Sequence, residues 1–176
     1  MMSERLRRIR RAGIIRFINH FLCGTHFFRI KRVLLRRAGI SCGSNTCIVG
    51  PIYFGNVSRV SFGDRVWVGT NFSVYGNGEV QLGNNVDIAP DVAMLTGGHE
   101  ISPNPAHRAG KGVSYTIHIH DGCWIGARVT IMGTITIGRG SIIAAGAIVN
   151  RSVEDNVVYG GVHGGVIRHL EGDSLG

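Results

Sequence analysis

The chain is short of the features that mark several protein classes. Its four cysteines, Cys23, Cys42, Cys47 and Cys123, form no Cys-x-x-Cys pair and no spacing that suits zinc, which excludes a disulfide-stapled secreted fold and a structural zinc module. They read as reduced, mostly buried small hydrophobes of a cytoplasmic protein. Long apolar runs are missing too. The most apolar N-terminal stretch, "GIIRFINHFLCGTHFF", is broken by Arg16, His20 and His26, so neither a signal peptide nor a spanning helix is expected. The 27 glycines follow no Gly-X-Y period, and an excess of Val and Ile over Leu argues against an all-helical protein. Acidic side chains are scarce, 11 against 19 Lys and Arg, but the imbalance is local: residues 1–38 hold eleven of the nineteen and only Glu4. The remainder is close to neutral, so a basic groove across the body is excluded and no nucleic-acid partner is expected.

What the chain has is a beat. From Phe62 an apolar residue recurs at every sixth position: Phe62, Val68, Val74, then after a two-residue slip Leu82, Ile88 and Met94, and later Ile119, Ile125, Ile131, Ile137, Ile143 and Val149. Six matches neither a helix nor a strand alternation. Small residues follow many anchors ("FGD", "VGT", "LGN", "IGA", "IAA"), and a second small or branched residue follows at Val66, Val86, Val92, Val129 and Ser141. A solenoid of triangular section explains this: short strands point one aliphatic residue at the axis, and corners need small residues to turn. Three hexapeptides complete a coil, and coils stack as parallel strands about 4.8 Å apart. The 176 residues suffice for one domain.

The beat stops within "DVAMLTGGHEISPNPAHRAG" and resumes at Ile119, so residues 100–118 read as one extended loop with His99 at its root. Excursions from a repetitive scaffold concentrate function. The following run, "IHDGCWIGARVTIMGTITIGRGSIIAAGAIVNRSV", resembles the Trp-Ile-Gly-Ala and Ala-Gly blocks of the hexapeptide-repeat acyltransferases, and the resemblance covers about residues 58–168. Within that family the chain is most similar to the sugar O-acetyltransferases, such as those acting on maltose and galactosides, and to those of polysaccharide biosynthesis clusters.

The resemblance implies a mainly β fold, a left-handed parallel β-helix, with acetyl-CoA as co-substrate, a sugar or glycan as acceptor, no metal, and a homotrimer with sites between subunits. The histidine of the family's Thr-x-x-His motif corresponds to His99, in "TGGH", as general base. Asn71 matches an acceptor-contacting asparagine, with a corner turn as the plain reading. Asn77 stands where the family usually has an Asp. Trp124, Gly126 and Ala127 are assigned to the thioester and pantetheine arm, with a backbone N–H there steadying the oxyanion. Ala145 and Asn150 line the pantetheine path, and Arg151 and Arg168 meet phosphates. The family's closing Gly-x-Pro-Ala-Lys/Arg-Val-Ile-Arg is "GVHGGVIR" here, with His163 for the proline and Gly165 for the basic residue, so one phosphate contact is missing.

Residues 1–40 form a basic amphipathic segment of one or two helices, residues 41–170 the β-helix, and residues 171–176 a tail. Ile9, Ile14, Ile15, Phe17, Ile18 and Phe21 give the segment an apolar face among arginines. It either caps the open end of the solenoid or lies on anionic lipid at the inner face of a membrane. Other functions on this scaffold are an antibiotic acetyltransferase, a γ-type carbonic anhydrase drawing on His99, His107, His118 and His120, and an inactive scaffold.

Overall fold

A computed structural model of the protein describes residues 4–55 and 57–171. Residues 1–3 of the N-terminal segment and all of the tail beyond Glu171 lie outside them. Two helices, α1 (Glu4–Phe21) and α2 (Phe28–Arg37), precede the strands. The second helix stops at Gly39, whose φ of 80° lets the chain turn while the Ile40 N–H donates to the Leu35 carbonyl.

The solenoid follows. Its first coil is β1 (Ser41–Cys42), β2 (Cys47–Ile48) and β3 (Ile52–Phe54); its second is β4 (Arg59–Phe62), β5 (Trp67–Val68) and β6 (Phe72–Tyr75). The third is β7 (Glu79–Leu82), β8 (Asp87–Ile88) and β9 (Ala93–Leu95), after which β10 (Gly97–Ile101) and β11 (Ala109–Ser114) leave the stack as an antiparallel hairpin. Coil four is β12 (Thr116–Ile119), β13 (Trp124–Ile125) and β14 (Thr130–Met132), and coil five is β15 (Ile135–Ile137), β16 (Ile142–Ile143) and β17 (Ile148–Val149). A bridge at Val153 and β18 (Val157–Gly160) make a sixth, partial coil, and β19 (Gly165–His169) folds back antiparallel on β18.

Equivalent strands stack into three faces: β1-β4-β7-β12-β15, then β2-β5-β8-β13-β16-β18-β19, then β3-β6-β9-β14-β17. Every residue of the expected beat is in the buried core. The beat also runs one coil earlier, through Cys42, Ile48 and Phe54. Residues one coil apart are 20 positions apart in the early coils and 16 in the last, with 37 across the hairpin. Thus the two-residue slip after Val74 is the normal length of a 20-residue coil.

The excursion differs from the loop 100–118 expected from sequence. It is a paired hairpin beginning at Gly97, and Thr116–Ile119 is already back in the solenoid, because Ile117 and Ile119 point inward beside Val80 and Leu82.

The N-terminal helices close the open end. Ile18, Leu22 and Leu35 join the core, while polar side chains reach the free backbone groups of the first coil. Arg36 donates to the Cys42 carbonyl, Arg32 to Thr46, Lys31 to Val49 and Arg11 to Ser58, and Asn19 both donates to the Ile52 carbonyl and accepts from its N–H. Part of the N-terminal positive charge is therefore a set of hydrogen-bond donors for an otherwise unpaired strand edge.

Candidate active site

His99 sits in the middle of β10, opposite Gly112 across the hairpin. Its side chain is exposed, and its Nδ1 lies 2.8 Å from the Gly110 carbonyl oxygen. A carbonyl only accepts, so the neutral ring carries its proton on Nδ1 and presents the Nε2 lone pair. The ring faces a cleft of about 430 Å³ lined by Gly76, Asn77, Gly97, Gly98, Gly112, Val113 and Ser114. Glycine is needed in this wall at Gly76, whose φ is 96° and where a Cβ would meet the Gly97 backbone nitrogen at 2.5 Å. The Asn77 side chain forms no hydrogen bond among the described residues, leaving its amide free for a ligand. Val113 and Ser114 escaped the sequence reading because only the hairpin pairing brings them beside His99.

Most of the residues assigned to the coenzyme lie elsewhere on the prism. Cross-strand register aligns Trp67, Asp87, Trp124, Ile142, Val158 and Arg168 in one outward row on the second face. Trp124 is 54% exposed, and three strand spacings place Arg168 about 14 Å along the face from it. At the adjoining corner between the second and third faces, Gly126 and Ala127 stack under Ala145. A Cβ on Gly126 would come within 2.6 Å of the Ala145 nitrogen. The Gly126 N–H donates to the Ile143 carbonyl at 2.8 Å, so it is not available to an oxyanion; the Ala127 N–H has no protein partner among the described residues.

Asn71 lies on this same corner, two coils below, with a φ of 58°, and its Nδ2 donates to Asp91 Oδ1 at 2.8 Å. Its amide braces the turn, and within one protomer it lies outside the His99 cleft. Asn150 and Arg151 follow β17 on the corner above the hairpin, both exposed. The Arg151 guanidinium donates to the His163 carbonyl at 3.1 Å and so braces the altered "GVHGGVIR" turn. Gly164 in that turn, at φ 53°, packs against the Tyr159 hydroxyl, where a side chain has no room.

Within one protomer, then, His99 and Asn77 occupy the corner between the third and first faces, whereas Trp124, Gly126, Ala127, Ala145 and Arg168 occupy the second face and its far corner. His118 and His120 lie together on the first face, ring centroids 4.2 Å apart. Burial, and then the neighbouring His120, hold His118 below the usual imidazole range, against a smaller upward pull from Asp121. Among the described residues no group of three or more His, Cys, Asp or Glu is placed to hold a metal ion.

A stacked-coil prism with a histidine-bearing excursion and a small-residue corner defines a hexapeptide-repeat transferase. The pattern described as bacterial transferase hexapeptide (six repeats) matches residues 116–151. The chain is 33% identical over 140 residues to the galactoside O-acetyltransferase of Escherichia coli, covering 80% of this chain and 68% of that protein. It is 30% identical over 127 residues to the galactoside O-acetyltransferase of Lactococcus lactis, covering 71% and 60%. Among solved structures, the hexapeptide-repeat-containing acetyltransferase of Vibrio cholerae complexed with acetyl coenzyme A superimposes with a TM-score of 0.80 at 26% identity, over 95% of this chain and 88% of that one. The chain belongs to the hexapeptide-repeat acetyltransferase family.

Proposed function

We propose that this protein transfers an acetyl group from acetyl-CoA to a hydroxyl or amine of a sugar or glycan, with His99 as general base. The observation that carries the reading is the His99 ring, fixed at Nδ1 by the Gly110 carbonyl and open at Nε2 toward a cleft. His99 Nε2 takes the acceptor proton as the acceptor oxygen or nitrogen bonds to the thioester carbon. The C–S bond then breaks, and the imidazolium returns its proton to the departing thiolate; the Gly110 carbonyl supports the transient positive charge. Asn77 offers its free amide to the acceptor. The coenzyme fits the second face, where Trp124, the small Ala127–Ala145 corner and Arg168 follow one another, while Asn150 and Arg151 stand above the hairpin on the His99 corner.

These two halves lie on different corners of one prism, which supports a homotrimer whose sites form between neighbouring subunits. The named activity of the E. coli and L. lactis relatives and the acetyl-CoA of the V. cholerae complex support the donor and acceptor classes. All four thiols are unpaired, which suits a reducing, cytoplasmic compartment. The test is thiol release from acetyl-CoA against a panel of sugars and glycans. His99→Ala should keep the wild-type melting profile and lose about 10²–10⁴ in rate; an undiminished rate in that variant removes His99 from the reaction.

A further inference from the structure

Away from this corner, a cleft of about 490 Å³ opens between α1 and the first coils, where Arg7, Arg8, Arg10, Arg11 and Arg59 line it with Glu4 as its one carboxylate. Glu4 pairs with Arg8 at 3.7 Å and Glu79 with Arg59 at 2.8 Å. Arg7, Arg10 and Arg11 form no ion pair among the described residues. Arg11 is the telling member. It is only 8% exposed, its Nη1 and Nη2 donate to the Ser58 carbonyl and hydroxyl, and its Nε is buried without a partner. A shielded guanidinium that has no ion pair of its own, in a cleft where five arginines face one carboxylate, is stabilised when an anion enters.

The same helices expose a second feature. Ile9, Phe17 and Phe21 recur along one side of α1 with 61%, 47% and 63% of their surface exposed, and Phe27, Ile30 and Val33 are exposed at the start and along α2. Arg5, Arg10, Arg16, Arg29 and Arg37 stand exposed among them. This is the composition of a helix face that lies in a bilayer interface. We infer that the α1–α2 cap docks on an anionic lipid bilayer, with the apolar row entering the interface and lipid phosphates entering the arginine cleft. A second copy of this face is a poor occupant, because it would set arginine against arginine. Nucleic acid would leave Ile9, Ile30 and Val33 without a stacking partner. No helix among the described residues is long and apolar enough to cross the membrane, so the attachment is peripheral.

Full-length protein should sediment with phosphatidylcholine vesicles containing phosphatidylglycerol, more weakly as salt is raised, and not with phosphatidylcholine alone. Arg7→Gln with Arg10→Gln should weaken sedimentation about thirtyfold, and Phe17→Ser with Phe21→Ser about tenfold or more, while Arg65→Gln on a remote corner leaves it unchanged. Thiol release on soluble sugars should be the same in all variants, so docking and catalysis fail independently. Equal sedimentation with neutral vesicles, or no effect of the paired substitutions, overturns the inference. So does an arginine-dependent response to inorganic phosphate without vesicle binding, which marks a soluble-anion site. A changed mass of the Phe17/Phe21 variant in light scattering, with vesicle binding intact, would make the face a contact between copies and overturn it equally.

Discussion

Asp64, Asn84, Asp121 and Asp155 show how single side chains hold one coil to the next. Each Oδ1 accepts a backbone N–H from the preceding coil, from Ser44, Asp64, Asn84 and Arg139 at 2.6 to 2.8 Å. Arg139 interrupts the series, and its guanidinium instead pairs with Asp121 at 3.6 Å. The cysteines show how far residue placement could be read in advance. Cys42 is buried because it falls on the beat, and Cys47 is half-buried because its neighbour Ile48 takes the inward position. Extending the beat back from Phe62 with the same two-residue slip reaches Phe54, Ile48 and Cys42, which separates the two thiols. Cys23 is half-buried at the end of α1, where its thiol donates to the Asn19 carbonyl, and no periodicity marks it. Burial pushes the thiols of Cys42 and Cys123 up to about 11. With an aromatic disulfide reagent at neutral pH, Cys23 and Cys47 should therefore react in the folded protein, and Cys42 and Cys123 only after denaturation. Four equally fast thiols would contradict this core.

The N-terminal helices and the hairpin are the elements whose detail sequence conceals. An amphipathic pattern identifies α1 and α2, because Ile18 and Leu35 must be buried somewhere, but leaves a cap on the solenoid and a face on lipid as alternatives. It does not tell which of eleven basic residues reaches a carbonyl, since that depends on where the first coil turns. Asn19 has no charge to draw notice, yet its amide pairs with both backbone groups of Ile52 as a neighbouring strand would. Asn19→Leu should cost about 1–3 kcal/mol in denaturant melts, whereas the exposed Arg29→Gln should stay within about 0.5 kcal/mol. The hairpin was hidden for another reason. Nearly all of "GGHEI" and "AGKGVS" is exposed, so no alternation of apolar and polar residues announces the strands. Its place was more legible than its shape, because the beat fails at His99.

At the scale of the molecule, the prism keeps His99 and the small-residue corner apart, a geometry that six-residue spacing implies but no motif states. Equal co-expression of His99→Ala and Ala145→Arg subunits tests whether neighbours complete each other's sites. Each variant alone should be inactive in thiol release, and random trimers should recover about one quarter of wild-type activity; no recovery would place both halves of a site in one subunit. The helical lid and the reversed β19 carry a further consequence. A stack of like coils has no built-in length, and its terminal rungs invite another molecule to continue the ladder. Here a bundle of guanidinium and amide donors stops growth at one terminus, and a strand running backwards spoils the match at the other. A chain shorn of its first forty residues would offer the bare rungs of Cys42, Thr46 and Ile52 to its neighbours, turning a discrete enzyme into the seed of a filament.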